Sequence, residues 1–328
     1  MKIDLDNPWT DGFSQIVDKI DIYFFFRHIL GRLPSEIEWP GHCGFIGKNL
    51  KDVVSVYLNS PEFKSRKLIA YDASHLCKVD LGEGYKIFVS ERDHGVGSHI
   101  LHSGTYEPII TELFKKYLKH GMNVIDVGAN IGWFSLLSAH LVGSKGLVYS
   151  FEPGTINGKI LCINKQFNKF DNIKIIHAAA SDKIESLDYS SSFSNGFVSQ
   201  MTDVSNEEIL SSDIVFGIPI DDVIPESLPV NLIKVDVEGY EMKVLSGALK
   251  IIKKWNPIII AEFSEGAVSK KNGSSGNYLN LLIEAGYKIS AVTKTDIIDC
   301  GQSIQDIINI FEKQKLDHID ILAMPITK

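Results

Sequence analysis

The chain has 328 residues, 44% hydrophobic and 23% charged, proportions that exclude wholesale disorder and leave room for one domain of ordinary size beside a smaller companion. Its formal net charge of −8 gives no long-range attraction for a phosphate backbone, so nucleic acid is not an expected partner. Apolar runs such as residues 22–26 and 257–261 are far shorter than the roughly 20 residues of a membrane-spanning helix. The start, MKIDLDNPWTDG, lacks the basic-then-apolar order of a secretory signal, and a cytoplasmic location is expected. Cys43, Cys77, Cys162 and Cys300 form no C-x-x-C pair, which indicates neither a zinc site nor a disulfide framework.

Residues 1–70 read as a small all-helical module, with apolar residues at helical spacing over 21–30 and 50–58 and a Gly- and Pro-bearing stretch between them. The aromatic run Tyr23 to Phe26 is expected to be helical core. Over 78–91 the pattern shifts to short β-like runs around Gly82 and Gly84, a hairpin expected to connect two domains across 71–103. Helical spacing returns at 106–118. From there to the C-terminus, apolar runs at 123–127, 147–151, 173–178, 232–237 and 257–262 alternate with helical segments, the mark of a parallel sheet covered on both faces. Residues 287–292 and 319–324 are expected to add a closing antiparallel pair. The Ser-rich stretch between Asp182 and Gly217 is too long for an ordinary connection and reads as a lid or substrate loop.

The strongest chemical signal is VIDVGANIGWFS at 124–135. A strand ends in Asp126 and gives way to a turn with Gly128 and Gly132, opening a helix whose first N–H groups favour a ligand carboxylate or phosphate. The next strand ends in Phe151-Glu152-Pro153, placing a carboxylate about 20 residues beyond the loop, where a doubly wound fold binds ribose hydroxyls. Each feature alone fits a tight turn or a solvated strand end; the two in consecutive β-α-β units favour a nucleoside site. Asn130 stands where a dinucleotide loop has its middle glycine, and no tyrosine is followed by lysine at Tyr-x-x-x-Lys spacing, so a nucleoside carrying an amino-acid tail is preferred to NAD(P).

The runs GTYEP at 104–108, DVGANIG at 126–132, FEP at 151–153, AASDK at 179–183 and IKVDVEGYEMKVLSGA at 233–248 resemble the FkbM family of methyltransferases, in order and from about residue 80 to the C-terminus. The resemblance implies a Rossmann-like class I methyltransferase domain over 104–328 with a seven-stranded, mostly parallel sheet. It implies S-adenosylmethionine as cofactor and transfer of methyl to a hydroxyl of a glycan, sugar or natural product. Carried over position by position, Asp126, Gly128, Asn130 and Gly132 surround the methionine part and Glu152 the ribose, with Ser181 or Asp182 beside the adenine. Tyr106 and Glu107 close the pocket near the methionine tail, or serve as helix-start packing with an N-terminal carboxylate. The segments YFFFRHILGRLPSEIEW and NLKDVVSVYLNSPEFKSRK, through Arg27, Gly31, Arg32, Pro34, Ser60, Glu62 and Phe63, resemble a phycobilisome-linker-like helical module found beside bacterial glycan enzymes, which implies a scaffold role through a protein partner or self-association.

Methyl transfer from a sulfonium needs an aligned acceptor oxygen and removal of its proton. Asp236 and Glu262 end neighbouring strands where ligands of open α/β sheets bind, and are the candidate catalytic residues. Lys234 shares a face with Asp236 by strand alternation. Asp236 is then a base, a Mg²⁺ ligand as a minority alternative, or the structural partner of Lys234, while Glu238 is expected to cap the following helix. His94, His99 and His102 are spaced more like loop residues than ligands, though any one could act as base. A Rossmann oxidoreductase and a non-catalytic scaffold are the competing classes.

Overall fold

The computed structural model of the protein describes residues 15–65, 75–192, 195–201, 212–264, 276–314 and 318–326. The chain divides into two compact units, Met1–Ser74 and His75–Lys328. Among the described residues no helix is long and apolar enough to cross a membrane.

In the first unit Asp18 starts the helix Lys19–Phe24 by accepting from the amides of Ile20 and Asp21, and Asp21 returns a bond to the Asp18 amide. The helix widens into a π-type turn, Phe25–Ile29, and Asn49 caps Leu50–Leu58 in the same manner. Phe25 and Phe26 join Ile22, Val53, Tyr57 and Phe63 in the core, whereas Tyr23 and Phe24 are exposed. The aromatic run is thus half core and half surface. The Arg32 guanidinium donates to Glu62 Oε1 at 2.6 Å and Glu38 Oε1 at 2.7 Å and lies 5.0 Å from the centre of the Phe26 ring. Planar, two-sided pairing of this kind fixes three segments at once.

The Arg32 and Ser35 hydrogen bonds hold the Glu38 carboxyl at about 2, against an ordinary 4.5. A depressed carboxyl stabilises the fold fully above its unfolded value and loses that contribution as pH falls through the folded one. The gap in thermal stability between wild type and Glu38→Gln is therefore expected to be widest above pH 4.5 and to close toward pH 2, as followed by circular dichroism melts.

The second unit opens with the hairpin β1 (Leu76–Asp80) and β2 (Lys86–Ser90). The sheet strands follow as β3 (Val124–Val127), β4 (Val148–Phe151) and β5 (Ile173–Ile176). Then come β6 (Ala179–Ala180), β7 (Glu185–Ser192), β8 (Asn195–Gln200) and β9 (Asp213–Ile218). The last are β10 (Leu232–Val235), β11 (Ile258–Phe263), β12 (Tyr287–Val292), β13 (Ile297–Asp299) and β14 (Ile319–Pro325). The main sheet has eight strands in the order β13-β12-β14-β11-β10-β3-β4-β5. Strands β5, β4, β3, β10 and β11 run parallel, and β14 and β12 close the sheet as an antiparallel pair. The short edge strand β13 adds one to the seven expected.

Alternation along these strands separates two cores. Ile125, Val127, Ile233, Val235, Ile259 and Ala261 pack on one face; Val124, Leu232, Ile260 and Leu322 pack on the other, against the helices Pro108–Tyr117 and Trp133–Val142. The hairpin expected as a connector is docked on the helix Thr155–Asn168: Asn168 Oδ1 accepts from the Lys86 amide at 2.9 Å and Asn164 Oδ1 from the Phe88 amide at 2.6 Å. The Ser-rich stretch, expected as a loop, is strand: β7 pairs with β8 and β9, and β9 with β6, in a four-stranded sheet. Its residues 193–194 and 202–211 lie outside the described ones.

Since the sheet, both of its cores and the hairpin lie within His75–Lys328, a fragment of those residues produced alone is expected to fold and to melt cooperatively. A fragment without near-ultraviolet circular dichroism would show that the first unit completes the fold.

Candidate active site

A cleft opens at the C-terminal ends of β3, β4, β10 and β11, the edge where parallel sheets bind ligands. Of the residues singled out above, Tyr106, Glu107, Gly128, Asn130, Glu152, Asp236 and Glu262 line it. Asp126, Gly132, Ser181 and Asp182 are not among its lining residues. Asp126 is buried behind the wall, where its Oδ2 accepts from Ser135 Oγ at 2.6 Å. Gly132, with φ +99, begins the helix Trp133–Val142 and leaves room for Leu161. Ser181 Oγ donates to Glu185 Oε1 at 2.7 Å, and Asp182 pairs with Lys243 at 2.9 Å. At that point Ala178, Ala179, Ala180 and Tyr240 form the wall.

The glycine loop is built differently from an anion site. The amides of Gly128 and Ala129 both donate to the Phe151 carbonyl at 3.0 Å, that of Asn130 donates to Glu152 Oε2 at 2.8 Å, and that of Ile131 to Asn130 Oδ1 at 2.7 Å. The loop amides from Gly128 to Ile131 are thus spent inside the loop rather than turned toward the cleft. What they hold is Glu152, whose Oε1 also accepts from the Gly154 amide at 2.7 Å. Burial raises the Glu152 carboxyl to about 7 against the pull of these two amides. Asn130 adopts φ +52, a conformation asparagine tolerates. Gly128 has φ +77, and a Cβ there would overlap the Asp236 carbonyl oxygen, so only glycine lets the loop rest on β10.

The far end of the cleft is ionic. Asp126 and Lys234 are register partners, as are Glu262 and Asp320, so all four face the same side of the sheet as Asp236. Lys234 Nζ reaches Asp236 Oδ2 at 2.7 Å and lies 4.6 Å from the centre of the Phe134 ring. Burial works against the charge on this ammonium; the Asp236, Glu107 and Asp126 carboxylates more than offset it and keep it protonated. Burial likewise opposes ionisation of Asp236, but Lys234 outweighs it and holds the carboxyl below its usual range. Glu262, buried and beside Asp236, is pushed up to about 11. The pair therefore shares one proton, on Glu262, with the charge on Asp236.

Several cleft residues carried no signal in the sequence. Tyr189 and Val198 come from the stretch expected as a loop, and His318 precedes β14 without any motif. His318 is the histidine of the cleft lining, while His94, His99 and His102 do not line it. Glu238, expected as a helix cap, lines the cleft at φ +52. Glu241 Oε1 accepts from the Gly239 amide at 3.0 Å, ahead of the helix Glu241–Ser246, whose N-cap residue Tyr240 makes no side-chain capping bond. Among the described residues no three His, Cys, Asp or Glu side chains are grouped so as to hold a metal ion.

The sequence model of the "Methyltransferase FkbM domain" matches residues 126–289, half of the chain. The chain belongs to the FkbM methyltransferase family. That membership displaces the oxidoreductase alternative, and its methyl donor is S-adenosylmethionine. No curated protein matches the chain. Similar solved structures include an FkbM methyltransferase from Methylobacillus flagellatus KT, at 16% identity over 92% of this chain and 59% of that one, with a TM-score of 0.40. A SAM-dependent methyltransferase from Aquifex aeolicus matches at 14% identity over 67% of this chain and 89% of that one, with a TM-score of 0.38. A methyltransferase from Streptococcus mutans in complex with SAH matches at 10% identity over 67% and 97% of the two chains, also with a TM-score of 0.38. The FkbM chain described here spans 59% of the length of the Methylobacillus protein.

The residues present fit this donor. Glu152, held at both oxygens by backbone amides, keeps lone pairs free for a vicinal diol, which the amides alone could not accept from. An ionised carboxylate is the better acceptor. Affinity of this FkbM methyltransferase for S-adenosylhomocysteine is therefore expected to fall as pH drops through about 7. Glu152→Gln should weaken binding by about tenfold or more, the scale of a hydrogen bond to a charged group, and abolish that pH dependence, both read by titration calorimetry.

Proposed function

We propose that the protein is an O-methyltransferase acting on a hydroxyl of a sugar, glycan or natural product, with Asp236 as the proton acceptor. The observation that carries this reading is the state of Asp236: a carboxylate in the cleft wall, kept ionised by Lys234 at 2.7 Å while its neighbour Glu262 holds the shared proton. Bound S-adenosylmethionine supplies an electrophilic methyl group whose leaving group is a neutral thioether. The residues have the remaining work. An aliphatic hydroxyl is too weak an acid to ionise beforehand, so its proton leaves as the C–O bond forms. Asp236 is placed to accept it, and Lys234 and Glu262 orient the carboxylate. Glu152 holds the ribose, the Gly128 loop borders the methionine part, and Tyr106 and Glu107 close the pocket near the methionine tail. The first unit serves as a scaffold that brings a protein partner or a second copy to the enzyme.

Asp236→Asn is expected to retain S-adenosylhomocysteine binding and to lose on the order of a hundredfold or more in turnover, the usual scale of acid–base help. The measurement is transfer of labelled methyl from S-adenosylmethionine to sugar and glycan acceptors, paired with calorimetry. A loss of thermal stability with turnover intact would make Asp236 only the structural partner of Lys234.

A further inference from the structure

The four-stranded sheet has two faces of different chemistry. Residues directly opposite each other on paired strands share a face. Leu187 opposite Val215 and Tyr189 opposite Val198 make the inward one, where Leu187 and Tyr189 are buried. Ser186 opposite Phe216, Asp188 opposite Ile214 and Ser190 opposite Phe197 make the outward one. On that face Phe216 is 66% exposed, Ile214 59% and Phe197 42%. Large apolar side chains gathered on a surface commonly mark a binding site.

The arrangement has the form of a groove. Strand β7 runs between β9 and β8, so its short side chains Ser186, Asp188 and Ser190 are the floor, with Ile214 and Phe216 as one wall and Phe197 as the other. Phe216 and Phe197 stand across two strand spacings and four residues of rise, roughly 17 Å apart on the diagonal. Asp188 is buried in the floor at 3% exposure. Its carboxyl accepts from the hydroxyl of Ser212 and, at 3.4 Å, from that of Ser190. Those hydroxyl oxygens keep acceptor capacity, and the exposed Ser186 can both donate and accept. Hydroxyls along the floor and phenyl rings along the walls match a saccharide, which presents hydroxyls at its rim and C–H bonds on its faces. Those C–H bonds suit the negative face of an aromatic ring. A phosphate backbone or an anionic lipid surface would meet Asp188 and a chain of net charge −8. An all-apolar partner would leave the hydroxyls of the floor without water or a substitute for it.

We propose that the outward face of this sheet is a glycan-binding groove that holds sugars of the acceptor beyond the one being methylated, so that the substrate is an uncharged oligosaccharide or polysaccharide rather than a single sugar. The inference rests on the O-methyltransferase reading above and names the acceptor class within it. Continuity with the cleft connects the two. Strand β8 is the edge of the small sheet; its Gly196 and Val198 line the cleft, while Phe197 between them belongs to the groove. A saccharide seated between Phe216 and Phe197 therefore has one strand to cross before its next sugars reach the cleft. Binding remote from the reacting hydroxyl holds the acceptor without touching the chemistry, an effect that appears in KM rather than kcat.

The test uses the full chain and an array of neutral oligosaccharides from one sugar to about six, read for binding and for transfer of labelled methyl from S-adenosylmethionine. Members of three or more sugars are expected to bind and to be methylated at lower KM than single sugars. Phe216→Ser and Phe197→Ser should each weaken binding of the long members and raise their KM about tenfold, the scale of truncating an aromatic contact. Their kcat, the KM of single sugars, S-adenosylhomocysteine affinity and the melting temperature should stay nearly unchanged, since both rings are exposed. Binding and KM that do not depend on acceptor length, or that both variants leave intact, would overturn the groove while leaving the O-methyltransferase reading in place. A dimer that Phe216→Ser dissociates in sedimentation would give the face to a second copy and likewise overturn the groove. Failure to methylate any saccharide of the array, with S-adenosylhomocysteine still bound, would overturn both.

Discussion

A lysine ammonium buried in the central strand is the constraint around which the active end of this protein is organised. Removing an ammonium from water costs several kcal/mol even after the protein relaxes, and a buried cation persists only where geometry repays that loss. Lys234 is repaid by Asp236 at 2.7 Å, by the face of the Phe134 ring at 4.6 Å, and by the fields of Glu107 and Asp126. These groups arrive from separate elements: the neighbouring strand β3, the helix that follows it, and the turn before Pro108. Register between β3 and β10, the seating of the Trp133–Val142 helix and the strained turn at Glu107 are consequently tied to one charge. The same charge keeps Asp236 ionised in a place where burial alone would neutralise it.

The Glu152 end of the cleft is joined to this ionic end through backbone contacts between the glycine loop and the chain leaving β10. Gly128 rests against the Asp236 carbonyl where a β-carbon would overlap it, so the loop that positions Glu152 is seated on the residue that follows β10. The amides of that loop close on Phe151, Glu152 and Asn130. A pyrophosphate would have needed those donors turned outward. Spending them on the Glu152 carboxylate makes the loop a support for that acid rather than an anion receptor, which is the physical content of having Asn130 where a dinucleotide loop has glycine.

The parallel strands were legible in the sequence because burial on both faces makes them continuous apolar runs: 123–127, 147–151 and 232–237 contain β3, β4 and β10. Period-two alternation was also enough to put Lys234 and Asp236 on one face. The ionic site could be read only in part, since its members converge from five places. Asp320 begins an antiparallel strand near the C-terminus, and nothing in its local spacing indicates that it stands opposite Glu262. Ser181 and Asp182 follow the strand β6, and their side chains turn to Glu185 and Lys243, choices set by tertiary neighbours. The capping role given to Glu238 failed because the chain passes through two left-handed residues, Glu238 and Gly239, before the helix begins.

The Ser-rich stretch misled for a related reason, and its true form bears on the site. Serines alternate there with Leu187, Tyr189 and Val198, a period of two diluted by short polar residues until it resembles a loop. In the small sheet Tyr189 stands opposite Val198 and fills space that Gly154 and Gly196 leave open, since a β-carbon at either would overlap its ring or hydroxyl. One wedge therefore abuts both the turn that holds Glu152 and the strand β8 that completes the cleft wall. The opposite face of the sheet leaves Ile214 and Phe216 exposed. Only the inward face is specified by packing, which is why an all-apolar run never formed. A wall supported from one side, with Tyr189 wedged beside the turn that follows Glu152, makes the small sheet part of the cleft, so the segment that least resembled structure shapes the surroundings of that acid.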